Sequence, residues 1–240
     1  MPSFSLIIPM YNEKNVIADT ARTLHQYLTE QFGDDFELIF SDDGSTDGCA
    51  RVVEELDLSH VKVIRYETNA GKGCAVRTGM LEATGKVRMF TDADLAYGTD
   101  VIRPIYDMFL SDDDTSVVIG SRNIHPDGYD GYTWFRKIAS KAYIKILCVA
   151  GGLKLSDSQC GCKAFSGDAA DRIFKKCEVN RFAFDFEAIL WAEKMGLRIR
   201  EFPVKVVNHR ESKVHVLKDS VKMLRDLRKM KKRIRNAPLD

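Results

Sequence analysis

Short apolar runs alternate with longer stretches of helical spacing through the first half of the chain. The runs are residues 4–9 (FSLIIP), 36–41 (FELIFS), 61–66 (VKVIRY), 86–91 (KVRMFT) and 116–121 (SVVIGS). Each has the length and content of a strand, and the apolar spacing of residues 15–31, 48–56, 73–83 and 100–110 predicts helices between them. Strand and helix in alternation give an α/β fold, a mostly parallel central sheet flanked by helices. In such a sheet the ligand crevice lies beyond the carboxyl ends of the strands.

The pattern changes after about residue 130. Residues 132–152 read as an amphipathic helix carrying Arg136, Lys137, Lys141 and Lys145, and residues 181–196 as a helix stopped by Gly196. Residues 198–207 read as strand broken at Pro203. A last helix, residues 214–234, puts Leu217, Val221, Leu224, Leu227 and Ile234 on one stripe. This divides the chain into a domain at 1–213 and a basic amphipathic helix and tail at 214–240.

The segments that follow the strands share a character. They are PMYNE (9–13), DDGSTD (42–47), NAGKG (69–73), DAD (92–94) and GSRN (120–123). Polar, glycine-rich and acidic residues are thus gathered on one edge of the sheet, as a binding rim requires and a purely structural sheet does not.

Asp92 and Asp94 are the sharpest feature of that rim, with Ala93 between them. Two neighbouring carboxylates repel, and a hard divalent cation with oxygen ligands, Mg2+ or Mn2+, relieves the repulsion and can also meet a diphosphate. An aspartate at a strand end also serves as a helix cap, and Asp47 in DDGSTD is placed to do so. Asp42 and Asp43 follow the second strand, where acidic residues accept hydrogen bonds from a base or ribose; the sequence leaves open which of the two does so. Lys72 and Arg77, at a glycine-rich helix start, suit an anionic group. The glycine spacing there is neither the G-x-x-x-x-G-K-[ST] phosphate loop nor a G-x-G-x-x-G fingerprint, which argues against a kinase or a nicotinamide enzyme.

Composition and charge narrow the classes further. The formal net charge is +1, yet residues 218–235 hold nine Lys or Arg against two Asp, so that segment carries +7 and the remainder −6. The acidity of the rim argues against nucleic acid there, and the basic tail calls for an anionic partner. Six cysteines have no CxxC pairing and no secretory segment precedes residue 4, as in a reduced, cytosolic protein. No run approaches the roughly 18 apolar residues of a membrane-spanning helix. The five histidines form no Ser/His/Asp or HExxH grouping.

Taken in order, LIIPMYNE, FSDDGSTDG, NAGKGCAVRTG, FTDADL, VIGSR and DSQCGCKAF resemble the family-2 glycosyltransferases of the GT-A fold. The stretches RFAFDFEAILWAEKMGLRIREFPV and ESKVHVLKDSVKMLRDL are most similar to dolichyl-phosphate β-glucosyltransferases, with dolichyl-phosphate mannose synthases next. The resemblance implies a nucleotide-sugar donor held by Pro9, Tyr11, Glu13, Asp42 or Asp43, Lys72, Asp92 and Ala93. It implies a metal on Asp92 and Asp94, and acidic residues near the reacting centre at Asp94, Asp157 and Asp185.

The implied reaction is inverting transfer of a hexose, glucose from UDP-glucose, onto a polyprenyl phosphate at the cytoplasmic membrane face. The alternatives are mannose from GDP-mannose, or transfer to a hydroxyl of a soluble or glycan acceptor. A phosphate acceptor is already an oxyanion and needs mainly to be held in line. Arg122, Arg136, Lys137, Arg210 and Lys213 are the candidates to hold it. Ala96 departs from the mannose synthases, which tend to carry a polar residue there that can join the metal shell. Relatives often carry transmembrane helices and this chain has none, so the helices at 132–150 and 214–234 are expected to face an anionic membrane surface and make the enzyme peripheral.

Overall fold

The computed structural model describes residues 1–208 and 227–238. Arg210, Lys213, His209, His215, the division at 213/214 and most of the predicted last helix therefore lie outside the described residues.

Seven strands form one sheet: β1 (Phe4–Met10), β2 (Phe36–Asp42), β3 (Val61–Arg65), β4 (Val87–Phe90), β5 (Thr115–Ser121), β6 (Lys163–Ser166) and β7 (Arg198–Pro203). Their order across the sheet is β3-β2-β1-β4-β6-β5-β7, and every pairing is parallel except the two made by β6. The helices are α1 (Lys14–Phe32), α2 (Cys49–Glu54), α3 (Lys72–Glu82), α4 (Ile102–Leu110), α5 (Trp134–Gly151), α6 (Gly167–Phe174) and α7 (Phe184–Lys194), and residues 227–236 are also helical.

Alternation along the strands explains the two layers. Phe4, Leu6, Ile8 and Met10 of β1 face a core with Phe36, Leu38 and Phe40, closed by α1, α2 and α4. Ile7, Ile39 and Phe90 face the other core, with Val76, Phe165, Phe186 and Trp191. Leu227, Met230 and Ile234 are buried in that second core, so residues 227–236 pack on the domain. The last helix thus turns at least part of its apolar stripe inward.

The predicted strands and helices that fall within the described residues are present within a few residues, and of the last helix residues 227–236 are described. The sequence reading placed no element between 152 and 181, where the structure has β6 and α6. A four-residue strand that begins with a lysine carries too little periodicity to be recognised. The break at Pro203 coincides with the end of β7, an edge strand where a missing N–H costs no ladder bond.

The cap expected of Asp47 is made one position early. Gly48, in the left-handed region with φ +81°, precedes α2. Asp47 accepts from Cys49 N at 2.9 Å and from Lys14 N at 2.8 Å, tying the starts of α2 and α1 together. Burial works against this carboxylate, but those two N–H groups outweigh it and hold its pKa below the ordinary 3.8. Asp47→Ala is expected to destabilise the fold by about 1–2 kcal/mol in denaturant melts at neutral pH. Because the native pKa is lowered, the deficit should be full above pH 3.8 and shrink as the pH falls below it.

Candidate active site

From β1 the chain first builds β2 and β3 on one side, then returns to place β4 on the other. The loops leaving β1 and β4 part at this reversal and open a cavity of about 390 Å3. Pro9 near the end of β1 and Tyr11 and Glu13 after it line the cavity, with Asp43 after β2, Asn69, Gly71 and Lys72 around the start of α3, and Asp92, Ala93 and Asp94 after β4. Arg181 and Phe182, just before α7, close the rim.

The two aspartates after β4 do not alternate as they would in a strand. Leu95 N donates to Asp92 O at 3.0 Å, a tight turn that carries Asp92 and Asp94 to the same cavity. Leu95 takes a positive φ of 50°, and Asn208 Nδ2 donates to the carbonyls of Asp94 and Leu95, both at 3.1 Å. Ala96 N caps the Asp94 carboxylate at 3.1 Å, and Thr20 Oγ1 donates to Ala93 O at 2.7 Å, fixing the turn to α1.

The pair of acidic residues after β2 divides its work. Asp42 is buried, caps Ser45 N at 3.1 Å and does not line the cavity. Asp43 lines it and accepts from Asn69 Nδ2 at 2.7 Å, Ala70 N at 2.8 Å and Gly71 N at 2.8 Å. This clamp fixes the turn into α3. Gly71 has φ +113°, and a Cβ there would stand 2.4 Å from Asn180 O, so the turn requires glycine.

Charge on the cavity floor alternates. Lys72 Nζ donates to Asp92 Oδ1. Burial would lower the Lys72 pKa, but the carboxylates of Asp92 and Asp185 outweigh it and raise it. Asp185 in turn accepts from Lys163 Nζ at 2.8 Å, and Lys163, with no exposed surface, also donates to Cys160 O. Burial raises the Asp185 pKa despite Lys163 and Lys72.

Antiparallel β6 makes this possible. Phe90 at the end of β4 is the register partner of Lys163 at the start of β6, so the lysine arrives beside the cavity.

Asp157 and Arg122 are placed together but away from the lining. Asp157 is fully buried and accepts from Arg122 Nε at 2.7 Å, Arg122 Nη2 at 3.0 Å and Gln159 N at 3.1 Å. Arg122 is thus held in a bidentate pair. Arg136 and Lys137 are exposed on α5, with the Arg136 guanidinium 4.4 Å from the Tyr132 ring centre. Sequence reasoning assigned no role to Lys163, Arg181, Phe182 or Asn69; a lysine opening an apolar strand was the one available signal.

Carboxylate oxygens at the cavity suit a hard cation, and the structure makes room for one of them. A Cβ on Gly161 would lie 2.4 Å from Asp92 Oδ2 and would push that carboxylate from its place. Among the described residues no group of three His, Cys, Asp or Glu side chains is arranged to hold a metal. Asp92 and Asp94 would supply part of a cation's shell and leave the rest to other oxygens.

The glycosyl transferase family 2 profile matches residues 5–174. The chain is 30% identical to the dolichyl-phosphate beta-glucosyltransferase of Dictyostelium discoideum, over 93% of this chain and 72% of that one. Against the same-named Saccharomyces cerevisiae enzyme it is 29% identical with the same coverage. A UDP-N-acetylglucosamine–dolichyl-phosphate N-acetylglucosaminyltransferase of Methanococcus voltae is 27% identical, over 84% of each chain. The crystal structure of Mycobacterium tuberculosis glucosyl-3-phosphoglycerate synthase with Mn2+, uridine diphosphate and phosphoglyceric acid superposes with a TM-score of 0.70. It covers 99% of this chain and 80% of that one at 18% identity, a likeness of fold.

The buried Lys163–Asp185 pair gives a test of this floor. Lys163→Met leaves Asp185 buried without its closest cation, and is expected to cost about 3–5 kcal/mol in urea melts at neutral pH. Lys163→Met combined with Asp185→Leu should recover most of that loss, because no lone charge remains.

Proposed function

With the chain a member of glycosyl transferase family 2 and therefore a glycosyltransferase, we propose that it moves glucose from UDP-glucose onto a polyprenyl phosphate with inversion at the anomeric carbon. The observation that carries the reading is the cavity at the strand reversal, where Asp92 and Asp94 face Lys72 and the amino end of α3. That arrangement offers both signs of charge to a sugar diphosphate. Likeness to dolichyl-phosphate beta-glucosyltransferases over 93% of the chain supports the acceptor class and the sugar.

Asp92 and Asp94 would hold Mg2+ or Mn2+, which when bound supplies Lewis-acid neutralisation of the departing nucleoside diphosphate. The chain's own groups do the rest. Asp43 keeps the 69–71 turn in place, so the positive end of α3 and the Lys72 ammonium meet the diphosphate. Tyr11, Glu13 and Phe182 border the space left for the nucleoside. The acceptor phosphate attacks from the face opposite the leaving group. It carries its own negative charge, so no residue has to remove a proton, and Asp185 can stay paired with Lys163.

Membrane docking is part of the proposal, and α5 supports it. One face of the helix buries Ile144, Leu147, Cys148 and Gly151. The other exposes Trp134, Phe135, Ile138, Ile146 and Val149, with Phe135 77% and Val149 73% exposed. A second apolar stripe beside Arg136, Lys137, Lys141 and Lys145 suits the interface of an anionic bilayer. No described helix is long and apolar enough to cross a membrane.

Release of UDP from UDP-glucose with Mg2+ or Mn2+ should require polyprenyl phosphate in liposomes and fall at least about a hundredfold in Asp94→Ala. Release that ignores the lipid would redirect the reading to another acceptor, and release from GDP-mannose alone would change the donor. Replacing Trp134 and Phe135 together by alanine is expected to weaken partitioning onto vesicles of mixed zwitterionic and anionic lipid by about tenfold in sedimentation, with unchanged thermal melting. Equal partitioning would remove α5 from the docking surface.

A further inference from the structure

Lys72 and a divalent cation compete for the same oxygen. The Lys72 ammonium sits on Asp92 Oδ1, and both side chains are 29% exposed, open enough for the contact to be exchanged. The other lysine on the floor has no such freedom. Lys163 is sealed and committed to Asp185 and to Cys160 O.

The root of Lys72 is fixed while its end is not. Asp43 holds Ala70 N and Gly71 N, and Asn180 O accepts from Cys74 N at 3.1 Å, so the backbone on either side of Lys72 is anchored. Four rotatable side-chain bonds let the ammonium sweep the cavity from that fixed point. Besides Asp92, the carboxylates of Asp94 in the cavity lining and of Asp185 behind it act on the ammonium.

Counting the floor gives the consequence. Asp92, Asp94, Asp185 and the lining residues Glu13 and Asp43, set against Lys72, Lys163 and Arg181, leave a net −2, five charges against three. A dication arriving alone would bring this to zero and leave the Lys72 ammonium without its carboxylate. A dication together with a diphosphate of two negative charges restores −2, and the displaced ammonium gains a phosphate partner.

We infer that Lys72 is a displaceable counter-ion of Asp92, whose ammonium opposes divalent-cation binding there until a nucleoside diphosphate takes the ammonium over. The inference rests on the cavity being the nucleotide-sugar site, and it makes cation and donor bind cooperatively rather than independently.

The test reads Mn2+ binding to the full chain by loss of the aqueous Mn2+ paramagnetic resonance signal, with no sugar or lipid present. Lys72→Met is expected to bind Mn2+ about tenfold more tightly than the unaltered protein, because the competing charge is gone. Lys72→Arg, which keeps a competing cation, should stay near the unaltered value. Arg181→Met removes the same charge from the rim without touching Asp92, and should change Mn2+ affinity by less than about threefold. With Mn2+ saturating, calorimetry should show weaker UDP binding to Lys72→Met. Lys72→Gln carries the same expectations should the methionine variant melt early.

Mn2+ affinity no tighter in Lys72→Met and Lys72→Gln, or a gain in Arg181→Met as large as theirs, overturns the inference and leaves the cation reading of the cavity standing. No Mn2+ binding by any variant, with or without UDP, overturns both.

Discussion

A half-buried carboxylate persists only beside a matching positive charge or strong donors, and the floor of the cavity is organised by that requirement. Asp92, Asp94 and Asp185 stand close enough to affect one another through Lys72, and each has a different answer. Asp185 is answered by Lys163, whose side chain is fully enclosed. Asp94 is answered in part by a backbone N–H of its own turn. Asp92 is answered by Lys72, whose contact is the most exchangeable of the three. A site that must accept a cation and an anionic donor needs this difference: one fixed pair to give the floor its shape, and one loose pair to give way.

Chain topology supplies the partners from distant segments. Asp92 follows β4, Lys72 opens α3, Lys163 opens β6 and Asp185 lies in the first turn of α7. Parallel strands bring only carboxyl ends to the rim, and helices that follow them bring amino ends. A residue at the beginning of a strand can reach the same edge only where that strand runs backwards. Inserting β6 antiparallel between β4 and β5 does this, and it delivers a lysine beneath the two aspartates.

The same logic explains what could be read beforehand. Five apolar runs and the loops after them were legible because strand burial and turn chemistry are local properties, and the Asp92/Asp94 pair stood out within three residues. Which of Asp42 and Asp43 would face the cavity was not legible, since the choice depends on how the turn after β2 meets the 69–71 loop. Lys163 left only a faint signal because a single lysine in CGCKAF has the pattern of a solvated residue, and only the antiparallel register buries it. Arg181 and Phe182 reach the rim through the packing of α7 against α3 and α6, with no periodic signal in their own segment.

The second buried pair sets a limit on where an acceptor phosphate can find positive charge. Arg122 and Asp157 are 35 positions apart and form a two-pronged contact, with Asp157 fully enclosed. Drawing Arg122 away to a phosphate would strand that carboxylate, at a cost of several kcal/mol. Cations that are already solvated carry no such penalty, and Arg181 at the rim and Arg136 and Lys137 on α5 are of that kind. Arg136 and Lys137 stand on the helix whose outer face is apolar. Under the proposed reaction, the surface that meets the lipid and the charges that meet its phosphate would then belong to one helix, and α5 would present the acceptor by lying on the membrane rather than by enclosing it.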